Sequence, residues 1–400
     1  MVHIKPFAVE EWMNAYETTA KYNIAETCCA SVSIDDLRDF SDDKTTSPVC
    51  AATKLTYGAI RGSKKLRSSI GSLYPLSEKA DAGFLSPDNV LVTAGGIQAN
   101  FLTLYTLVAP GDHVICHYPT YQQLYSVPES LGVEVSLWKT CKEDSWQLDT
   151  LVLKALIKPN TKLIIINNPQ NPTGAVVPRN VLHDIIQIAK ERSIYVMSDE
   201  VYRPLFHSME NEQAPPSILS FGYARTIGTG SMTKAYSLAG IRVGWIASAS
   251  REIIEACASA RDYTTISVSQ IDDRIASFAL DSRCVGNLMD RNRKLARGNL
   301  AILEKFVTEH QESCDWVRPR ASTTAFVRFS RDGRPIDDVA FCKLVLDKTG
   351  VFFTPGSRCF GEEFKGFVRI GYVCETDVLE DGLAALRAFM KNEFASVPLA

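Results

Sequence analysis

From residue 89 to residue 198, short β-branched apolar runs alternate with longer stretches in which apolar positions recur every three or four residues. This pattern predicts strands at 90–93, 113–117, 134–137, 163–167 and 194–198, with helices at 97–108, 121–131 and 181–191. Such alternation marks βαβ units, whose crossovers build a mostly parallel sheet. Leu163-Ile164-Ile165-Ile166 runs without a polar position up to Asn167, as a strand covered by helices on both faces requires. Two further strands are expected at 226–228 and 242–247. The predicted class is α/β, with a three-layer αβα large domain. Ligands of such sheets bind beyond the carboxyl ends of the strands.

The pattern changes on either side of this region. Trp12, Ala15, Tyr16 and Thr19 share one face of an amphipathic helix predicted at 9–20, suited to packing on a second domain or a partner. A long helical stretch at 285–309 reads as a domain connector. Beyond it, strands at 325–329, 351–353 and 367–370 lie among helices at 337–346 and 376–390, the pattern of a smaller α+β domain. The expected division is an N-terminal arm with part of the small domain at 1–45, a large domain at 46–285, and a small C-terminal domain with its connector helix at 286–400.

Composition narrows the function. With 46% hydrophobic and 22% charged residues the chain is an ordinary globular protein, and a net charge of −3 favours neither nucleic acid nor an anionic membrane as partner. Its 11 cysteines are odd in number and contain no C-x-x-C pair, which fits reduced cytosolic thiols better than a zinc cage or a disulfide framework. The opening Met-Val-His-Ile-Lys-Pro-Phe has no secretory apolar stretch, and the most apolar window, 91–109, is broken by Gly95, Gly96, Gln98 and Asn100. A cytoplasmic enzyme of small molecules is expected. The histidines show no ligand spacing, so no metal is expected.

The chemistry concentrates in a few segments. Ser231-Met232-Thr233-Lys234 follows a predicted strand, and Arg242 lies eight residues beyond the lysine. An amine in such a segment suits a cofactor aldehyde, while hydroxyls and a guanidinium fork suit a phosphate. Asn168-Pro169-Gln170-Asn171-Pro172-Thr173-Gly174 follows the buried strand, and Ser198-Asp199-Glu200-Val201-Tyr202 ends the next. Gly95-Gly96, between a strand and a helix, lets backbone N–H groups meet an anion.

In order and spacing these motifs, from about Tyr57 to Arg369, resemble the fold type I pyridoxal-phosphate enzymes of the class I/II aminotransferase family. The resemblance implies pyridoxal 5'-phosphate as cofactor, Lys234 as the Schiff-base lysine and Asp199 at the pyridine nitrogen. It assigns Asn171 and Tyr202 to the phenolic oxygen, and Tyr121 of Tyr118-Pro119-Thr120-Tyr121 to the ring face. Gly95, Gly96, Ile97, Ser231, Thr233 and Arg242 would hold the phosphate. Leu55-Thr56-Tyr57-Gly58, with Gly62 and Arg67, resembles a segment whose tyrosine crosses a dimer interface to the other subunit's phosphate, so Tyr57 implies a homodimer with shared active sites. Thr354-Pro355-Gly356-Ser357 and Phe367-Val368-Arg369-Ile370 resemble the region that takes the substrate α-carboxylate, with Arg369 as the fork and Asn171 beside it.

One segment departs from the pattern. Ordinary transaminases of the family carry a glycine ahead of the first helix, whereas Tyr22-Asn23-Ile24-Ala25-Glu26-Thr27-Cys28-Cys29-Ala30-Ser31 has none. It is similar instead to a subgroup of capreomycidine-synthase-like and arginine-oxidase-like enzymes, which cyclise, eliminate or oxidise arginine-type amino acids in secondary metabolism. Thr27 is an implied substrate contact. Glu26 has two functional readings, a contact for a cationic substrate tail or a second base, beside the plain one of a loop or helix-cap carboxylate. Cys28 and Cys29 either line the site or are small buried hydrophobes. Arg261-Asp262-Tyr263-Thr264-Thr265-Ile266-Ser267 is a second specificity candidate or a structural turn. The implied activity is an aminotransferase that converts an L-amino acid to its 2-oxo acid. The alternatives are elimination or replacement, cyclisation, or O2-dependent oxidative deamination, and, more remotely, an inactive regulatory homologue.

Overall fold

The structure, a computed structural model, describes residues 3–77, 83–210 and 213–400. Seven strands form one sheet: β1 (Val90–Thr93), β2 (His113–Tyr118), β3 (Glu134–Lys139), β4 (Thr161–Asn167), β5 (Tyr195–Asp199), β6 (Thr226–Ser231) and β7 (Gly244–Ala247). Their spatial order is β1-β7-β6-β5-β4-β2-β3, and β7 alone runs antiparallel to its neighbours. Helices Gly95–Leu107, Gln123–Ser130, Arg179–Arg192 and Arg251–Arg261 cover the sheet. The apolar run in β4 shows why both faces are needed: Ile164 and Ile166 enter one core, while Leu163 and Ile165 enter another. Alternate side chains of a strand point to opposite faces, so an unbroken apolar strand joins two cores.

A second, five-stranded sheet lies towards the C-terminus, with Arg334–Pro335, Thr324–Arg331, Phe367–Gly371 and Thr354–Pro355 in that order and Cys314–Trp316 on Thr324–Arg331. Helices Asp338–Thr349 and Thr376–Asn392 and the long helix Ser282–Glu309 accompany it. The beginning of the chain is hooked to this unit. Tyr22–Asn23 pairs in parallel with Val351–Phe352, and the buried Trp12 donates from its indole Nε1 to the Phe353 carbonyl at 3.0 Å.

Several boundaries differ from the periodicity. The first helix is Ala8–Tyr16 and passes into a 3-10 turn, Glu17–Thr19, short of the predicted residue 20. The helix expected from 121 begins at Gln123, which leaves Tyr121 in the preceding loop. The strand expected from 242 begins at Gly244, because Arg242 has φ 50° and its guanidinium turns back to the Ala239 carbonyl at 3.0 Å. Periodicity also missed Ile34–Phe40, Lys64–Gly71 and Thr150–Leu156, each of eight residues or fewer and opened by a Ser or Asp cap. Among the described residues no helix is long and apolar enough to cross a membrane.

Candidate active site

The carboxyl ends of three adjacent strands are in register, Asn167 of β4 beside Asp199 of β5 and Asp199 beside Thr229 of β6. Asp199 is buried, and Asn100 donates to its Oδ2 at 2.9 Å while the Val201 N–H donates to its Oδ1 at 3.2 Å. The Thr229 hydroxyl donates to Asn100 Oδ1 at 2.7 Å, which fixes which way that amide faces. Burial pushes the Asp199 carboxyl up to about 6, against the pull of these donors. A cation beside it would restore the carboxylate.

Lys234 follows β6 and points into the same space. Its Nζ donates to Thr27 Oγ1 at 2.5 Å, and lies 3.7 Å from Cys28 Sγ and 3.8 Å from Glu26 Oε1. Burial opposes a charge on this amine, but Cys28, Tyr202 and Glu26 around it outweigh burial and hold it above the usual lysine range. Burial likewise works against Glu26, yet Lys234, the Cys28 thiol and the Thr27 N–H keep it below the usual carboxylate range. Cys28 stays a thiol, pushed up to about 11 chiefly by burial, and donates to Glu26 Oε1 at 3.2 Å.

On the other side the backbone makes a cradle. Gly95 has φ +79°, and a Cβ there would meet the Arg242 guanidinium at 2.7 Å. A Cβ on Gly96 would meet Val201 at 2.9 Å and Ser231 at 3.4 Å, and one on Gly244 would strike the Gly95 backbone at 2.3 Å. These close approaches bring Arg242 and Ser231 to the first turn of Gly95–Leu107, where free N–H groups and the helix dipole favour an anion.

Arg369, in the second sheet, is 3% exposed. Its Nη1 donates to Asn171 Oδ1 at 3.3 Å, and its Nη2 to the Ala25 carbonyl at 3.0 Å and Thr354 Oγ1 at 3.2 Å. Its Nε is buried and, among the described residues, has no partner. A buried guanidinium with an unpaired N–H calls for a further acceptor, and a carboxylate matches the fork.

A cavity of about 360 Å³ joins these groups. Gly96, Ile97, Tyr121, Asn171, Asp199, Tyr202, Ser231, Thr233, Lys234, Arg242 and Arg369 line it, together with Glu26, Thr27 and Cys28. Gly95 sits behind the wall, and Cys29 is buried away from it. Tyr57 is 76% exposed and faces a separate groove with Gly58 and Val268, so it is not brought to the cavity of its own chain. Thr264 and Thr265 take hydrogen bonds from Gln98, on the first turn behind the cradle, and do not line the cavity.

This chain belongs to the aminotransferase class I and II family. The family model matches residues 51–386. The capreomycidine synthase of Streptomyces vinaceus is 26% identical over 94% of this chain and 92% of that protein. An aspartate aminotransferase of Thermotoga maritima is 29% identical over 85% and 84% of the two. The crystal structure of a PLP-dependent aminotransferase from Streptococcus suis superposes with a TM-score of 0.87 and 39% identity, covering 97% of this chain and 98% of that one. The chain is thus a pyridoxal 5'-phosphate enzyme of fold type I, with the mixed, mostly parallel sheet of that class. The observed donor set suits the cofactor: a glycine cradle with Arg242 for the phosphate, and buried Asp199 for the ring nitrogen.

Some residues at this aminotransferase-family site escaped the sequence reading. Asn100 lies one turn after Gly96, so helical spacing alone points it at the same space. Thr229 is visible only through strand register, whereas Thr354 stands in a segment the resemblance already points to and is seen here to hold Arg369. Val9, Glu10, Met13, Asn14 and Glu17 form another wall, and no local motif announces them.

Proposed function

We propose that the protein is an aminotransferase that acts at the α-carbon of an L-amino acid and releases the 2-oxo acid. The observation that carries this reading is the shared cavity of Lys234 and the buried, incompletely paired Arg369. When bound, pyridoxal phosphate supplies an electron sink for the charge left at Cα after proton removal. The residues supply the rest. Arg369, steadied by Asn171, Thr354 and the Ala25 carbonyl, takes the substrate carboxylate and so orients the Cα–H bond. Lys234 Nζ removes that proton and returns one on the far side of the reaction, with Thr27 holding the amine in place. Asp199 holds a cationic ring nitrogen, and Asn171 and Tyr202 donate towards the phenolic oxygen. Gly95, Gly96, Ile97, Ser231, Thr233 and Arg242 hold the phosphate and limit its movement.

We also propose the division into 1–45, 46–285 and 286–400, with the cavity between the large and small domains, and a homodimer in which Tyr57 reaches the other subunit's phosphate. A second reading is supported by one local observation: Glu26 lies 3.8 Å from Lys234 Nζ, so two groups able to exchange protons share the reacting end of the cavity. That arrangement suits elimination, cyclisation or oxidation.

The test is product analysis with holoenzyme, an L-amino acid and 2-oxoglutarate. A 2-oxo acid and L-glutamate in equal amounts are the expected result, and with 2-oxoglutarate left out a 2-oxo acid and pyridoxamine phosphate in equal amounts. Ammonia, peroxide or a cyclised product, with no pyridoxamine phosphate, overturns transamination in favour of the second reading. Sedimentation of a fully active monomer overturns the shared site.

A further inference from the structure

A second cavity, of about 740 Å³, opens between the loop that leaves β3 and the second sheet. Among the described residues none lines both this cavity and the one around Lys234. Its floor is aromatic. Tyr118, Trp146, Phe364 and Phe367 line it and are all buried, with the Trp146 ring centroid 5.8 Å from that of Phe367 and 6.2 Å from that of Phe364. The loop seats its tryptophan through an unusual backbone, Ser145 at φ 53° and Trp146 at φ 59°, a left-handed conformation that bulky residues seldom adopt.

The hydrogen-bonding groups of this cavity are unevenly satisfied. Trp146 Nε1 is buried and, among the described residues, has no partner, whereas a buried indole N–H ordinarily has one. Arg328 is half-buried and stands opposite Phe367 in one ladder and Asp315 in another, so it shares their face of the sheet. Lys142 Nζ already takes Asp315 Oδ1 at 2.7 Å, and among the described residues the Arg328 guanidinium makes no hydrogen bond or ion pair. Lys365 is exposed at the rim and is likewise unpaired among them, while Lys139 is tied to Glu363 at 2.7 Å. The other lining carboxylates, Glu143, Asp144 and Glu362, are exposed and keep their hydration. The unmet need is therefore for an acceptor: a neutral donor in the floor and a half-buried cation beside it.

We propose that this cavity is a second ligand site, for a small molecule with a planar aromatic body, a ring acceptor and one carboxylate. The ring packs on Trp146, Phe364 and Phe367, the carboxylate takes the Arg328 fork with Lys365 adding charge, and the acceptor meets Trp146 Nε1. The assignment does not depend on which reaction the Lys234 cavity performs. Arg369 lies two residues beyond Phe367 on the same strand and also suits a carboxylate, so the test must tell the two arginines apart.

The experiment is a calorimetric titration of the holoenzyme with quinoline-4-carboxylate, neutral quinoline and the cationic 4-(aminomethyl)quinoline. The carboxylate is expected to bind at least about tenfold more tightly than either analogue, and more weakly as salt is raised. R328Q/K365Q, with the cofactor band retained as proof of folding, weakens the carboxylate about tenfold or more, and W146F, which keeps an aromatic floor without the N–H, weakens it several-fold. R369A leaves the affinity unchanged. Equal or tighter binding of the cationic analogue overturns the proposal, since the acidic rim then selects the ligand. Binding that survives R328Q/K365Q but is lost in R369A also overturns it and assigns the carboxylate to the Lys234 cavity, as does the absence of any binding up to about 10 mM.

Discussion

The sheet end that carries Asp199, and the N-terminal wall that carries Glu10, enclose one cavity but are built differently. At the sheet end, position follows from hydrogen-bond register: Asn167, Asp199 and Thr229 sit side by side because β4, β5 and β6 do. In the N-terminal wall, position depends on a few side-chain contacts, such as Trp12 to the Phe353 carbonyl and Tyr121 to Glu10. The difference separates two tasks. Groups proposed to handle the cofactor are set in a hydrogen-bonded ladder, while the wall opposite lies on a helix held by separable contacts.

The contrast predicts unequal consequences. The largest is at Lys234: Lys234→Ala lowers turnover by about 10⁴-fold in steady-state kinetics, since among the described residues no other lysine or histidine lines the cavity. Next is the cost stored in Asp199. Its carboxyl holds a proton more tightly when folded, at about 6, than the ordinary value of 3.8. Its contribution to the stability of the cofactor-free chain is therefore complete below about pH 4 and is lost as pH rises through 6, a loss of about 3 kcal/mol at most. Denaturant titration of cofactor-free protein between pH 4.5 and 7.5 measures it against Asp199→Asn, and loading with pyridoxal phosphate removes the slope.

Arg369→Ala comes third. It raises the KM for the amino acid roughly 10²-fold with the cofactor spectrum retained, and Arg369→Lys recovers only part because a point charge lacks the fork. The smallest effect belongs to the N-terminal wall. Trp12→Phe keeps an aromatic in the core but removes the indole donor to Phe353, and loosening the helix by about 1 kcal/mol raises the KM for the amino acid several-fold while cofactor affinity stays unchanged. If Trp12→Phe released the cofactor instead, the division between sheet end and wall would be wrong.

The same division explains what could be read from the chain. Lys234, Asn171, Asp199 and the Gly95-Gly96 turn stand in short segments at strand ends, so local pattern and resemblance together located them, and all but Gly95 reach the cavity surface. Glu10 and Tyr121 are 111 residues apart, and Trp12 and Phe353 are 341 apart. Periodicity places Trp12 on an apolar helix face but cannot say which surface that face meets. Glu26 stands out in the sequence for the absence of glycine around it, yet its closeness to Lys234 depends on how the arm crosses the cleft. Tyr57 lies exposed on its own chain, so the role proposed for it in another subunit is legible only through the resemblance.

The central claim is that Lys234 is the residue to which the cofactor is joined, and one measurement addresses it directly. Holoenzyme is reduced with borohydride, digested, and its peptides mapped by mass spectrometry. The account predicts loss of the visible absorbance band and a single phosphopyridoxyl group on the peptide containing Lys234. A modified lysine elsewhere in the chain, or an unmodified Lys234 after the band is lost, would contradict it.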